Sequence, residues 1–169
     1  MIMVTNKVAQ VTLLFWVMKI CATTLGETAG DLVSMTLNLG YGPSTLLLLI
    51  FFLISLFLQL KSKVFHPALY WLVILTTSTA GTTLSDYMDR TLGLGYANGA
   101  MMLGTGLFLV LAIWRFSEKT LSVSNIQTFK VEMFYWVAIL FSNTLGTALG
   151  DYLADDSGLG FFGGCAFDW

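Results

Sequence analysis

The chain has 169 residues and a formal net charge of -2, and 56% of its residues are hydrophobic whereas only 11% are charged. Soluble domains carry about 25% charged residues, so this composition excludes a water-soluble globular protein and indicates a surface that faces lipid. No basic cluster is large enough for nucleic acid, which excludes a nucleic-acid-binding protein.

Long apolar segments follow one another along the chain. The first begins after Lys7 and continues into a polar pattern, so we interpret it as a retained membrane helix rather than a cleaved signal peptide. At ~1.5 Å per residue, about 20 residues cross a bilayer core. The sequence therefore predicts an all-α membrane protein, a single membrane domain over residues 1–169 with about five spanning helices. The predicted helices cover residues 12–31, 43–60, 67–86, 97–114 and 132–151.

A tandem repeat underlies these helices. In each copy an aromatic residue precedes a Trp, and Thr, Gly, Asp and Gly follow at eight, ten, fifteen and twenty-four residues after that Trp. The pattern predicts repeat 1 over residues 12–60, repeat 2 over 67–114 and an incomplete repeat 3 over 132–169, as tandem parallel transmembrane helical hairpins with tight Gly-containing turns. The repeated positions are Trp16, Trp71 and Trp136; Thr24, Thr79 and Thr144; Gly26, Gly81 and Gly146; Asp31, Asp86 and Asp151; and Gly40, Gly95 and Gly160.

The Trp…Thr-x-Gly…Asp hairpin resembles a bacterial integral-membrane family that is built of four tandem two-helix repeats, each with a characteristic Trp. The resemblance extends from Phe15 to about Gly164 and implies a repeat whose function is unknown. The chain departs from the family pattern because it contains only about two and a half repeats, so we expect a shortened form.

Positive charges fall on one side of the predicted topology. The opposite turns carry only Arg90, together with several aspartates. The positive-inside rule then predicts a multi-pass protein of the bacterial cytoplasmic (inner) membrane with a cytoplasmic N-terminus. The residues on the basic side are Lys7, Lys61, Lys63, Arg115, Lys119 and Lys130.

A stripe of small residues follows the first helix of each repeat, at six, ten and fourteen residues after the Trp. In lipid, small residues let helix backbones approach closely, so the stripe predicts helix packing. In repeat 3, whose second helix is missing, it further predicts self-association or assembly with another membrane subunit in the bilayer. The main packing positions are Gly26, Gly30, Gly81, Ser85, Gly146 and Gly150.

A second, polar stripe follows positions eight, eleven and fifteen after the Trp. Carboxylates within membrane segments suggest function, but aspartates at helix ends can also face headgroups or bind nearby backbone. Both interpretations stay open at this point. The functional one predicts a polar cavity for a cation or proton, lined by Thr24, Glu27, Asp31, Thr79, Asp86, Thr144 and Asp151.

Two further features have alternative interpretations. Lys19 is either a counter-charge for a repeat carboxylate or a side chain that reaches the cytoplasmic interface. Trp16, Trp71 and Trp136 are most simply interface anchors of an aromatic belt, and the alternative for them is a stacking role.

The leading functional hypothesis is a transporter of protons or hard cations, because carboxylate and hydroxyl oxygens are hard ligands. The alternative is a non-transporting membrane scaffold or accessory subunit. An enzyme is not expected, since no nucleophile and base pattern is present, and neither is a cofactor. Cys21 and Cys165 have no metal-binding or disulfide spacing, and the residues leave metal binding open.

Overall fold

The structure, a computed structural model, describes residues 7–123, 126 and 128–156. Over these residues the chain forms five long α-helices with short π-helical turns and contains no strand. The all-α fold with five long helices is therefore confirmed for this part of the chain. The helices are α1 (Leu13–Asp31), α2 (Tyr41–Lys61), α3 (Pro67–Asp86), α4 (Tyr96–Glu118) and α5 (Phe129–Asp151).

The repeat motif determines where the odd-numbered helices end. Each of them ends at the repeated Asp and continues into a single π-helical turn, and these turns span Leu32–Thr36, Tyr87–Thr91 and Tyr152–Asp156. Gly40 and Gly95 then precede α2 and α4 with φ of 78° and 74°. A residue with a Cβ rarely adopts this conformation, so the turn needs Gly at that position; the third equivalent, Gly160, lies outside the described residues.

The order of packing differs from simple hairpins. α3 packs against α1, α2 and α5, and α4 packs against α5. Neither α1 and α2 nor α3 and α4 belong to the closely packed pairs. The second helix of a repeat thus packs on the first helix of the next repeat, for example through Thr45 Oγ1, which donates to the carbonyl of Thr83 at 2.8 Å.

The small stripe explains this order, because it faces the next odd-numbered helix. A Cβ added to Gly26 would lie 2.5 Å from the Cβ of Ser78, and one added to Gly81 would lie 3.1 Å from the backbone nitrogen of Thr144. The equivalent Gly146 has no atom within 4 Å of such a Cβ. The stripe is therefore filled at α1 and α3 and open at α5.

Three helices of the described part are long and apolar enough to cross a membrane: α2, α4, and α5 with its turn (Phe129–Asp155). α1 and α3, with 19 and 20 residues, also carry the repeated polar side chains. Large apolar side chains on the outer surface, such as Leu13 and Phe108, are 83% and 70% exposed. This surface suits a lipid environment.

Candidate functional site: a polar cavity between three equivalent helices

A cavity of about 470 Å³ lies between α1, α3 and α5. Most of its lining residues have polar side chains, which comprise two carboxylates, several hydroxyl groups and one amide. It has no contribution from α2 or α4. The lining residues are Thr23, Glu27, Ser78, Thr82, Ser142, Asn143, Gly146, Thr147, Gly150, Asp151 and Ala154.

Equivalent repeat positions line the cavity. Seven residues after the repeat Trp stand Thr23, Ser78 and Asn143, and eleven residues after it stand Glu27, Thr82 and Thr147. Residues four apart lie on one face of a helix, so each odd-numbered helix presents a ladder of polar side chains to the same space. Thr82 and Thr147 lie 3.3 Å apart between their hydroxyl oxygens, which brings the same position of two repeats together.

The repeated aspartates gather around one arginine. Arg90 Nε lies 3.2 Å from Asp86 Oδ1 and its Nη2 lies 3.7 Å from Asp151 Oδ2. Asp31 lies within electrostatic range of Arg90 and of both other aspartates. Asp86 is buried and Asp31 and Asp151 are half-buried. The structure thus brings the three aspartates together at one end of the cavity. Of the three, only Asp151 lines the cavity.

Aromatic rings complete the surroundings of Arg90. Its guanidinium lies over the rings of Tyr41 and Tyr96, 5.8 and 5.7 Å from their centroids. Its Nη1 also donates to the Tyr41 hydroxyl at 3.3 Å. Arg90 therefore links the first turns of α2 and α4 to the aspartates of α3 and α5, a role that its position in a predicted turn did not indicate.

The amino-acid sequence matches the repeat described as Repeat of Unknown Function (DUF347) over residues 14–65, 69–120 and 134–167. This chain belongs to the DUF347 repeat family. The predicted membership of a family of tandem repeats, with about two and a half copies present, is confirmed. No curated protein and no solved structure matches the chain.

Within the DUF347 repeat, the predicted cavity threonines occupy a different place. Thr24, Thr79 and Thr144 do not line the cavity. Thr79 and Thr144 are buried where a neighbouring Gly packs on them, and their hydroxyls bind backbone carbonyls of their own helices. The helices are rotated so that the residue seven, rather than eight, positions after the Trp points into the cavity. Of the predicted lining residues, Glu27 and Asp151 are the two that the structure places there.

Lys19 of the first DUF347 repeat contacts one of the cavity residues. Its Nζ donates to Asn143 Oδ1 at 3.1 Å, and Asn143 Nδ2 donates to Thr77 Oγ1 at 3.0 Å. Lys19 stands four residues before Thr23 and eight before Glu27, on the same ladder. Its hydrogen-bond partner is an amide and not a repeat carboxylate, which was one of the two alternatives, and this hydrogen bond connects α1 to α5 directly.

The three DUF347 tryptophans lie in different environments. Trp16 is 55% exposed, whereas Trp136 is fully buried. The Trp136 ring lies 5.5 Å from that of Tyr70, and Tyr70 and Tyr135 are hydrogen-bonded at 2.7 Å between their hydroxyl oxygens. The exposure of Trp16 suits an interface anchor. The burial of Trp136 does not, because α3 and α4 pack on α5 and cover it.

A buried ion pair lies at the basic end of the bundle. Lys7 Nζ contacts Glu132 Oε2, and Glu132 is fully buried. Gln59 Nε2 lies 3.3 Å from both Glu132 Oε1 and the carbonyl oxygen of Lys7. The cluster joins the N-terminal segment to α2 and α5. No sequence motif predicts this ion pair, because its two residues are 125 positions apart. The only indication of it in the sequence is a carboxylate, Glu132, at the start of an apolar helix.

Other parts of the described chain lack a comparable group of charged residues around open space. A larger cleft of about 700 Å³ lies near the N-terminal segment, between residues such as Val8, Phe15 and Trp71, and it has no charged lining residue. Among the described residues, no three His, Cys, Asp or Glu side chains come together as metal ligands. The cavity between α1, α3 and α5 is therefore the place where charged and polar groups converge on open space.

Proposed function

We propose that this chain is a polytopic protein of the bacterial inner membrane whose odd-numbered helices surround a cation-binding cavity, and that it moves a proton or a hard cation across the bilayer. The observation that carries the proposal is the convergence of Glu27 and Asp151 on a space bordered by hydroxyls from three repeats. Carboxylates within membrane segments are energetically unfavourable and usually functional.

The chemistry of the lining favours a cation. Carboxylate, hydroxyl and amide oxygens are hard ligands that suit hard cations. Arg90 forms ion pairs with Asp86 and with one oxygen of Asp151. None of the ion pairs found among the described residues includes Glu27. At about 470 Å³ the cavity is much larger than a bare ion. It therefore suits a cation that keeps part of its water shell, or a carboxylate that takes up a proton from water.

Transport is tested by flux in proteoliposomes. We expect Glu27→Gln and Asp151→Asn each to lower proton or monovalent and divalent cation flux by roughly tenfold, and the double variant to be far from multiplicative because both groups share one site. Glu118→Gln is the control, since Glu118 pairs with Lys130 at the basic end of the bundle. Absence of flux for every probe, or flux unaffected by Glu27→Gln, would contradict the proposal.

The proposed orientation places the N-terminus and the basic end of the bundle in the cytoplasm, with parallel hairpins. Support comes from the position of Arg90 with the repeated aspartates at one end, and of Lys7 and Lys130 at the other. The positive-inside rule assigns the second end to the cytoplasm.

Labelling of single cysteines tests this topology. In a variant whose two native cysteines are replaced by Ser, we expect Asn98→Cys, at the start of α4, to react with an impermeant maleimide added outside intact cells. Ser122→Cys, after α4, should react only once the membrane is permeabilised. The reverse pattern would invert the topology.

A non-transporting scaffold is the second candidate. Arg90 favours it, because an arginine that joins Asp86, Asp151 and Tyr41 can hold three helices together without any role in transport. A folded protein that passes no cation in the flux experiment would support this alternative.

A further inference from the structure

Two helix contacts inside the chain follow one rule. Where α1 meets α3, Gly26 lies against Ser78, and where α3 meets α5, Gly81 lies against Asn143 and Thr144. In each case the Gly ten positions after the Trp of one repeat faces the residue seven or eight positions after the Trp of the next repeat. Each odd-numbered helix thus has a Gly face for one neighbour and a hydroxyl-bearing face for the other.

Within the part of the chain that the structure describes, one face of each kind has no helix packed on it. On α5, Ser142, Gly146 and Gly150 are exposed, and an added Cβ at either glycine would meet nothing within 4 Å. On α1, Thr24 and Glu27 are exposed. Glu27 on α1 and the exposed residues of α5 line the cavity from opposite sides. Apart from the Lys19–Asn143 hydrogen bond, the cavity separates α1 from α5 here. The uncovered Gly face of α5 and the uncovered hydroxyl-bearing face of α1 are therefore the two halves of one further contact of the kind that joins α1 to α3 and α3 to α5.

The membrane makes these faces unstable if they meet lipid. Hydrocarbon offers no hydrogen bond to the carboxylate of Glu27 or to the hydroxyls of Thr24 and Ser142. A bare Gly face also loses the close backbone contact that holds membrane helices together. A protein partner with the complementary faces removes both problems.

We infer that a second copy of this chain covers the open side of the cavity, with the Gly face of α5 in each copy packed against Thr24 and Glu27 of α1 in the other. Each chain has one face of each kind. Two copies related by a twofold axis along the membrane normal therefore cover all four of these faces. The two cavities then face each other across the axis and form one polar volume that is shielded from lipid. This inference rests on the proposed membrane location but not on cation transport.

Crosslinking between two differently tagged copies tests the interface. In a background with Cys21→Ser and Cys165→Ser, one copy carries Gly146→Cys and the other Thr24→Cys, and both are expressed in the same membrane and oxidised. We expect a disulfide-linked species that contains both tags. The control pair, Phe108→Cys with Leu46→Cys, lies on exposed outer faces of α4 and α2 and should remain unlinked.

A second measurement avoids dependence on the crosslinked geometry. Mass determination of the protein in mild detergent or lipid nanodiscs should give a dimer. Gly146→Leu should weaken dimerisation by about tenfold, equivalent to about 1.4 kcal/mol, whereas Gly104→Leu should not, since Gly104 on α4 also has open space around it. A monomer of wild-type protein, the absence of a species that contains both tags, or equal linkage of the control pair would overturn the inference. Because none of these results depends on flux, failure of dimerisation and failure of transport can be told apart.

Discussion

Glu132→Ala is expected to lower the free energy of unfolding by about 3–5 kcal/mol, since removal of one partner leaves the other charge buried without compensation. The Lys7 side chain is 9% exposed and that of Glu132 is fully buried. The substitution also removes the carboxylate oxygen that lies 3.3 Å from Gln59 Nε2. We expect a fall of roughly 6–20 °C in the midpoint of thermal unfolding in detergent, with loss of contact between the N-terminal segment, α2 and α5.

The chain contains a matched control for this experiment. Lys130 and Glu118 form an ion pair of 3.0 Å at the same end of the bundle, but their side chains are 61% and 25% exposed. Ion pairs that water reaches contribute little to stability, so Glu118→Ala should change the midpoint little. The double variant Lys7→Met with Glu132→Leu should recover most of the loss, because apolar residues of similar volume can replace a buried pair. Similar losses for Glu132→Ala and Glu118→Ala would contradict the assignment.

Gly81→Leu is the second large expected effect. The Cβ alone would lie 3.1 Å from both the backbone nitrogen and the hydroxyl of Thr144, so the remaining Leu atoms have no space unless α3 and α5 separate. Overpacking costs about 1–3 kcal/mol and occasionally more. We expect the upper part of this range, because the obstacle is helix backbone. The measurement is thermal unfolding in detergent, together with the loss of the Thr82–Thr147 contact.

Substitutions at two other glycines serve as controls, because they distinguish the effect of close helix packing from the effect of helix propensity. Gly104→Leu places the same side chain in a helix where a Cβ meets nothing within 4 Å, and Gly146→Leu does so within the stripe itself. Both changes remove a helix-interior Gly and should be neutral or mildly stabilising for the single chain. If all three variants lost the same stability, close approach between α3 and α5 would not be the cause.

The agreement of several repeat positions with the structure has local physical reasons. The Asp fifteen positions after the Trp ends each odd-numbered helix, and Gly40 and Gly95 take the positive φ that a turn into the next helix requires. Such features depend on a few neighbouring residues, so a recurring pattern reveals them. The small stripe likewise identifies a packing face from sequence, because only residues without large side chains allow backbones to approach.

What the amino-acid sequence by itself determined about this protein is its helical class, its repeat family, the ends of its odd-numbered helices and the face on which they pack. The tertiary structure decided which polar residues share a space. A helical projection places neighbouring positions about 100° apart but does not show which of them faces the cavity. The rotation of α1 against α3 placed Thr23 there rather than Thr24. The pairs Lys7–Glu132 and Lys19–Asn143 join residues 125 and 124 positions apart. Such contacts arise from the relative placement of whole helices, which packing alone determines.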